Sequence, residues 1–131
     1  MLSVFVDHLE EGCCSSLRQI VTSGEALSGS LQQQTFDVLP HTTLWNMYGP
    51  SEAAIDVSYY HCSSNDTGSS PPIGSPIWNT QLYILDPTLT PVPDGIAGEL
   101  YIAGVGLARG YLGRPGSVSY THLTLPTNRE V

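Results

Sequence analysis

The sequence predicts an α/β fold in which a βαβ unit precedes an antiparallel, β-rich region. Two segments rich in β-branched and aromatic residues flank one helical segment, which is the pattern of two parallel strands joined by a crossover helix. Beyond residue 72, short β runs are separated by a turn that contains proline and glycine. The 131 residues fit a single domain, and an apolar fraction of 40% is sufficient to form a core.

The first predicted elements are a helix and a strand. Residues Met1 to Leu9 are mostly apolar, which is typical of the end of a buried helix, and the sequence Glu10-Glu11-Gly12 stops it. The run Leu17 to Thr22 predicts the first strand, which ends at Ser23-Gly24.

A second helix and a second strand complete the βαβ unit. Ser28 is a suitable N-cap for a helix over Leu31 to Val38, which Pro40 ends. The run Thr42 to Met47 predicts the second strand, and Gly49-Pro50 ends it. Because open α/β sheets bind ligands at the carboxyl ends of parallel strands, we expect a site in the loops that follow these two strands.

The second half of the chain is predicted to consist of a loop and an antiparallel sheet. Residues 62–72 are polar and rich in turn formers, which predicts a surface loop. Short strands are predicted over residues 80–86 and 98–103, with a turn at Pro91 to Gly95 between them.

Charge and composition exclude several functions for these residues. The chain carries 12 acidic and 4 basic residues, none of which is lysine, and its formal net charge is −8. A phosphate-binding P-loop and a pyridoxal enzyme each need a lysine, and nucleic-acid binding needs a basic surface. We therefore expect no nucleic-acid partner.

The cysteines and the apolar runs bear on the cellular setting. Cys13, Cys14 and Cys62 form neither an even disulfide framework nor a CxxC pair, which favours a reducing, cytoplasmic location. No apolar run approaches the roughly 18 to 20 residues of a membrane span, and the first residues lack the basic region of a signal peptide. We expect no membrane partner.

The densest cluster of polar and aromatic side chains is Asn46 to Glu52, directly after the second predicted strand. In such a loop Tyr48 can stack on a planar base, and Asn46 can bond with the exocyclic amine of that base. Ser51 can donate to a phosphate oxygen, and Glu52 can hold Mg²⁺. The alternative is an ordinary turn with Glu52 at a helix N-terminus, where the helix dipole favours a carboxylate.

A second cluster covers residues 98–111 and contains Gly104-Val105-Gly106 after a predicted strand. It is similar to a dinucleotide-binding fingerprint, but Arg109 stands where the third glycine is required, and the setting is not a βαβ unit. We therefore interpret its glycines as tight corners of β structure.

At these two clusters the sequence resembles the adenylation domains of nonribosomal peptide synthetases, which activate amino acids and belong to the adenylate-forming, or AMP-binding, superfamily. The resemblance extends over residues 1–115 and implies an internal fragment of the large N-terminal subdomain. That subdomain piece would comprise an α/β sheet part (1–61), a loop (62–72) and a β-barrel-like part (73–115). The motifs, in family order, are Ser23-Gly24-Glu25-Ala26-Leu27, Asn46 to Glu52, Ile73-Gly74-Ser75-Pro76 with Asn79-Thr80, and Gly98 to Leu112 followed by Gly113-Arg114-Pro115.

The resemblance implies an ATP-dependent ligase. Members of the family react an amino acid with ATP and Mg²⁺ to give aminoacyl-AMP and pyrophosphate, and they pass the aminoacyl group to the phosphopantetheine thiol of a carrier protein. The implied partners are therefore the amino acid, ATP, and the peptidyl-carrier and condensation domains of the same assembly line. Two alternatives stay open: an acyl-CoA synthetase-type enzyme, and a non-catalytic, β-rich nucleotide-binding module.

The resemblance also implies roles for individual residues. The ATP- or AMP-binding residues are Gly24, Glu25, Asn46, Met47, Tyr48, Gly49 and Ser51, and Glu52 is the metal ligand. The substrate pocket is lined by Val21, Ser23, Met47, Ile55 and Asp56, a series that looks most like serine-activating members. The catalytic lysine of the family is expected outside the chain, so no catalytic residue is assigned and the isolated fragment is predicted to be inactive.

The last residues depart from the family pattern. Val118 to Thr127 resembles the conceptual translation of a transposase-type sequencing adapter. We therefore interpret residues 116–131 as a non-native tail produced by read-through into adapter sequence.

Overall fold

A computed structural model of the protein describes residues 1–10 and 13–113. The described residues form two helices, six strands and a single 3₁₀ turn. In chain order these are α1 (Leu2–Asp7), β1 (Gln19–Thr22), α2 (Gly29–Val38), β2 (Thr43–Tyr48), the 3₁₀ turn (Ser51–Ala53), β3 (Ser58–His61), β4 (Ser75–Pro76), β5 (Thr80–Leu85) and β6 (Glu99–Gly104).

The predicted βαβ unit is confirmed. Strands β1 and β2 pair in parallel, with Gln19 opposite Thr43 and Thr22 opposite Asn46, and α2 lies between them in the chain. The hydroxyl of Ser28 accepts a hydrogen bond from the Leu31 N–H at 3.2 Å, as expected of an N-cap. Local sequence signals therefore place this unit correctly to within about two residues at each boundary.

Two further strands extend this sheet to the order β1-β2-β3-β4, and the sequence analysis did not predict them. Strand β3 runs antiparallel to β2, and β4 runs antiparallel to β3. Strand β4 has two residues and contains Pro76, so it carries no local strand signal, whereas β3 contains Tyr59 and Tyr60, which favour strands, but is only four residues long. Both segments become strands because they pair with a neighbouring strand, β3 with β2 and β4 with β3.

The region after residue 79 is an antiparallel pair, β5 and β6, in register from Thr80–Gly104 to Leu85–Glu99. Two strands cannot close a barrel, so within the described residues the region predicted to be barrel-like is an open two-stranded sheet. The predicted turn at 91–95 is confirmed by a hydrogen bond from the Ile96 N–H to the Pro93 carbonyl oxygen at 3.1 Å.

The core lies between α2 and one face of the four-stranded sheet. It is centred on Leu27, Leu44 and Cys62, and the partly buried apolar side chains packed around it are Leu2, Ile20, Leu31, Phe36 and Tyr60. Burial raises the pKa of the Cys62 thiol to about 11, so this cysteine is a neutral core side chain at physiological pH.

Residues 62–74 contain no helix or strand and are held against α2 by Asp66. The Asp66 carboxylate accepts hydrogen bonds from the Gln32 side chain, the Tyr60 hydroxyl and the Ser63 N–H, each at 2.9 Å. Burial disfavours the charged form of Asp66, but these hydrogen bonds outweigh burial and lower its pKa. The predicted surface loop is therefore anchored at a defined point, and its end at Pro72 reaches β2.

Neither helix of the described region is long and apolar enough to cross a membrane. The predicted tail at 116–131 lies outside the described residues, as do Arg114 and Pro115 of the last motif.

Candidate functional site

The predicted site residues surround the carboxyl ends of β1 and β2. Because the two strands are parallel and Thr22 pairs with Asn46, both strands end at the same edge of the sheet. The loop at 23–27 follows β1, and the loop at 49–57 follows β2. These two loops carry most of the residues that the family resemblance assigned to ligand binding.

The alternation of side chains along β2 divides those residues between two faces of the sheet. Leu44 and Asn46 are buried and point to the same side as the core, which we call the inner face. Trp45 and Met47 point to the opposite side, the outer face, where Trp45 pairs with Val21. Met47, which the sequence analysis assigned to both ligands, therefore shares a face with a predicted pocket residue and not with Asn46.

Asn46 is held rigidly on the inner face. Its side chain is only 4% exposed, and its amide nitrogen donates to the Pro72 carbonyl oxygen at 2.9 Å. This hydrogen bond fixes the plane of the carboxamide and leaves its oxygen as an acceptor. An acceptor is what the exocyclic amine of adenine requires. Tyr48, the predicted stacking residue, follows on the same side of the strand and is partly buried.

Gly49 and Ile55 close the loop after β2 into a compact ring. A Cβ atom at Gly49 would lie 2.2 Å from the Ile55 carbonyl oxygen, so only glycine allows this approach. The Val57 N–H donates to the Tyr48 carbonyl oxygen at 2.7 Å and completes the closure. Gly49 is therefore a structural requirement of the loop, whatever contact it makes with a nucleotide.

Ile55 has an unusual backbone conformation within this ring. Its φ is +80°, and the Asp56 N–H donates to the Ala54 carbonyl oxygen at 3.1 Å, which together describe a γ-turn centred on Ile55. A positive φ is rare for a β-branched residue. The turn leaves the Ile55 side chain 68% exposed, at the position where the sequence analysis expects a pocket residue.

Ser23 and Asp56 join the two loops. The Ser23 hydroxyl donates to the Asp56 carboxylate at 2.5 Å, across 33 residues of sequence. Both are predicted pocket residues, so the structure brings this pair into direct contact. Ser23 is exposed and Asp56 is partly buried, which leaves the pair accessible to a ligand.

An apolar groove of about 930 Å³ lies beside this pair, between α1, β1 and the loop at 23–27. Four predicted site residues line it: Val21, Ser23, Gly24 and Glu25. Met47, Ile55 and Asp56 are not among its lining residues, so the predicted pocket is not one enclosed cavity in the described part of the chain. The Ser23–Asp56 hydrogen bond is the contact that links its two parts.

Glu52 lies in the 3₁₀ turn that begins at Ser51. The alternative interpretation places this carboxylate at the N-terminus of a helix. The helix in question is only this single 3₁₀ turn of three residues. The Tyr111 hydroxyl donates to the Glu52 carboxylate, and the Ala108 N–H donates to the Glu52 carbonyl oxygen at 2.6 Å. The hydrogen bond from Tyr111, with one from the backbone N–H of Glu52, lowers the pKa of Glu52, so the carboxylate is ionised at neutral pH.

The donor set around Glu52 fits one kind of metal site. No group of three or more histidine, cysteine, aspartate or glutamate side chains is assembled for a metal ion in the described region. Mg²⁺ bound to a nucleotide takes one or two carboxylates, and phosphate and water oxygens complete its shell. A single ionised carboxylate beside the exposed Ser51 hydroxyl matches that mode, and a dedicated all-protein metal cage does not.

Sequence reasoning missed two residues that organise this site. Pro72 orients Asn46 through a backbone carbonyl, which has no residue-type signal in a sequence. Tyr111 lies in the motif of residues 98–112, where the resemblance implies no role for it, and its contact with Glu52 spans 59 residues. Residue types alone do not reveal a contact between positions that are so distant in the sequence.

The AMP-binding enzyme family matches residues 1–112 of the chain. The chain belongs to this family. Among curated relatives, enterobactin synthase component F of Escherichia coli K12 is 47% identical over 123 residues, which cover 88% of this chain and 9% of that protein. Phosphinothricin tripeptide synthetase PhsB of Streptomyces viridochromogenes is 49% identical over 116 residues, which cover 87% of this chain and 9% of that protein.

Solved structures agree with the family assignment. The nonribosomal peptide synthetase FmoA3, in a form bound to α-methyl-L-serine-AMP, matches with a TM-score of 0.78 and 29% identity over 87% of this chain and 14% of that chain. PA1221, a nonribosomal peptide synthetase protein with adenylation and PCP domains, matches with a TM-score of 0.77 and 30% identity over 89% of this chain and 23% of that chain.

These matches confirm the resemblance to adenylation domains of nonribosomal peptide synthetases and the α/β fold of the large N-terminal subdomain. The chain spans about a tenth of the length of the two curated relatives. The roles of single residues, the domain boundaries and the amino acid stay predictions.

Proposed function

We propose that a protein containing this segment activates an amino acid with ATP as aminoacyl-AMP and passes it to the phosphopantetheine thiol of a carrier domain in nonribosomal peptide synthesis. The observation that carries the proposal is the joint end of β1 and β2, where a fixed Asn46 carboxamide lies on one face and the Ser23–Asp56 pair connects the loops. Membership in the AMP-binding enzyme family gives that arrangement its ligand class. The PCP domain in the PA1221 structure supports a carrier domain as partner, and a condensation domain is proposed beside it.

In the proposed reaction, a carboxylate oxygen of the amino acid attacks the α-phosphorus of ATP, and pyrophosphate leaves. Asn46 accepts a hydrogen bond from the adenine amine, Tyr48 stacks on the ring, and the Ser51 hydroxyl donates to an α-phosphate oxygen. Mg²⁺, when bound, neutralises the charge that develops on the phosphate oxygens.

The other assigned residues hold the reactants in place. Glu52 supplies the carboxylate for the metal. The backbone of Gly24 and Glu25, in the loop after β1, lies between the nucleotide and the substrate. Since this segment contributes contacts and orientation, its share of catalysis is positional and electrostatic.

Serine is the amino acid that the outer-face residues favour. A substrate hydroxyl can donate to Asp56 in place of the Ser23 hydroxyl, or join the pair as a third member. A serine hydroxyl gives this carboxylate a donor beyond Ser23, and alanine cannot supply one, so the pair favours serine over alanine. The α-methyl-L-serine-AMP bound by FmoA3 supports a hydroxylated substrate.

The test is ATP–pyrophosphate exchange by a complete adenylation domain that carries this segment, with serine, alanine and threonine compared. We expect serine to give the highest kcat/KM. Removal of the carboxylate in Glu52→Ala should lower the exchange rate about 100-fold or more. Asp94→Ala, in an exposed turn, is the control and should leave the rate unchanged. Normal exchange by Glu52→Ala would remove Glu52 from the metal site.

The alternatives give different outcomes in the same assay. Release of pyrophosphate with a carboxylic acid that has no amino group, followed by thioester formation on free coenzyme A, would indicate an acyl-CoA synthetase-type enzyme. ATP binding without exchange for any acid would indicate a non-catalytic module. Mass spectrometry of a loaded carrier domain, with a gain equal to a seryl group on the phosphopantetheine thiol, would support transfer as proposed.

A further inference from the structure

The segment that follows β6 returns to the end of β2 and attaches to the turn that carries Glu52. The Ala108 N–H donates to the Glu52 carbonyl oxygen at 2.6 Å, and the Tyr111 hydroxyl donates to the Glu52 carboxylate. The Val105 N–H also donates to the Asn79 carbonyl oxygen at 3.3 Å, which holds the start of the segment against the sheet. The segment thus contacts both the backbone and the side chain of a single residue.

This double attachment matters because the contacts that close the loop after β2 hold its backbone and leave the Glu52 side chain unrestrained. The turn around Glu52 is three residues long, and Ala54 leaves it in the left-handed conformation with φ of +58°. A glutamate side chain has three rotatable bonds, so a partly exposed carboxylate samples several rotamers unless a partner restrains it. The Tyr111 hydroxyl is the side-chain donor that supplies such a restraint among the described residues.

We propose that Tyr111 is a positioning residue for the Glu52 carboxylate and sets its affinity for nucleotide-bound Mg²⁺. Tyr111 donates to one carboxylate oxygen, Oε1, and a carboxylate has lone pairs on both oxygens. The second oxygen, Oε2, is then available to the metal from a fixed direction. This inference rests on the proposed function, in which Glu52 holds the metal.

The variant Tyr111→Phe tests this idea because it removes one hydroxyl and keeps the ring. Loss of a hydrogen bond to a metal ligand typically lowers metal affinity about 10- to 100-fold. We therefore expect the Mg²⁺ concentration for half-maximal exchange to rise about tenfold or more in a complete adenylation domain. The KM for the amino acid should stay within about twofold, since Tyr111 does not contact the Ser23–Asp56 pair.

A matched control is available in Tyr83→Phe. Tyr83 is 42% exposed and donates to Gln81 at 2.7 Å on β5, and Tyr111 is 49% exposed. Both variants remove one hydroxyl and one side-chain hydrogen bond from a half-exposed tyrosine. Tyr83→Phe should leave the Mg²⁺ dependence unchanged.

Metal binding itself gives a readout that does not depend on turnover. Mn²⁺ titrated by electron paramagnetic resonance, in the presence of a non-hydrolysable ATP analogue, reports the affinity of the ternary complex. We expect Tyr111→Phe to bind Mn²⁺ more weakly than the wild type does. In excess EDTA, the wild type and Tyr111→Phe should bind the nucleotide equally well. In the Glu52→Gln background the additional Tyr111→Phe change should have no further effect on Mn²⁺ affinity.

The outcomes separate this proposal from the function on which it rests. Wild-type Mn²⁺ affinity in Tyr111→Phe, with affinity lost in Glu52→Gln, would overturn the positioning role alone. Wild-type affinity in Glu52→Gln would overturn the metal role of Glu52 and, with it, the role of Tyr111. Equal, additive losses in the double variant would also contradict the proposal, because they would show that Tyr111 acts independently of Glu52.

Discussion

The inner and outer faces of β2 carry predicted ligand-binding residues that differ in burial and in how they are held. On the inner face, Asn46 is 4% exposed and tied to the Pro72 carbonyl oxygen. On the outer face, Val21 is 57% exposed, and the Ser23–Asp56 hydrogen bond lies in accessible loops. Under the proposed function, the inner face binds the nucleotide and the outer face binds the amino acid. Separate faces allow the second to change without disturbing the first.

The substitution with the largest expected effect is Gly49→Ala, because the loop after β2 connects both faces. A Cβ atom 2.2 Å from the Ile55 carbonyl oxygen forces the ring open. We expect the free energy of unfolding to fall by about 1–3 kcal/mol, the usual range for overpacking. Affinities for ATP and for the amino acid should fall together, as measured by equilibrium binding. Loss of only one affinity would show that the loop does not couple the faces.

The next largest effect is expected for Asn46→Ala, which breaks the inner face alone. The Pro72 carbonyl oxygen loses its donor, so stability should fall by about 1–3 kcal/mol. The KM for ATP should rise about tenfold or more, and the KM for serine should change less than about twofold. Gln33→Ala is the control, because its amide donates to Asp37 on the exposed side of α2. A larger change in serine affinity than in ATP affinity would contradict the division between faces.

A smaller and selective effect is expected for Asp56→Asn, which alters the outer face alone. The variant keeps the size of the side chain and removes its charge, so the KM for serine should rise about tenfold. The KM for ATP should not change. With alanine, which has no hydroxyl to bind, wild type and variant should have similar kcat/KM. If the variant impairs both amino acids equally, Asp56 does not read the hydroxyl.

The smallest effect is expected at Asp66, which anchors the loop that leads to Pro72. Its pKa is lowered in the folded state, so the unfolded state binds a proton first as the pH falls. The stability from this carboxylate is therefore present above about pH 4 and is lost as the pH drops through the folded-state pKa. Asp66→Asn should lower the free energy of unfolding by about 1 kcal/mol at pH 7 and flatten its decline below pH 4.

Urea unfolding of the complete domain between pH 2 and pH 7 measures this difference. Asp86→Asn provides a comparison in the turn after β5, because hydrogen bonds from Thr88 and Thr90 lower the pKa of Asp86 as well. Equal slopes for wild type and Asp66→Asn below pH 4 would show that the anchor contributes nothing to acid stability.

Local signals account for the parts of the fold that the sequence analysis predicted correctly. Helix α2 has an N-cap at Ser28 and a proline after its last turn, and β1 and β2 are rich in β-branched and aromatic residues and end in turn formers. Strand β3 was missed although Tyr59 and Tyr60 favour a strand, because a segment of only four residues gives a weak signal without its pairing with β2. A barrel would need further strands beside β5 and β6, and among the described residues these two strands pair only with each other.

The same distinction applies to the candidate site. The residue types at Asn46, Glu52, Ser23 and Asp56, and their positions at strand ends, follow from the sequence, because strand periodicity and turn chemistry are local. Only the tertiary structure decided their partners. These partners are Pro72 for Asn46, Asp56 for Ser23 and Tyr111 for Glu52, at separations of 26, 33 and 59 residues. Such contacts form when loops close through space, and loop closure depends on the packing of the whole sheet and not on the chemistry of any one segment.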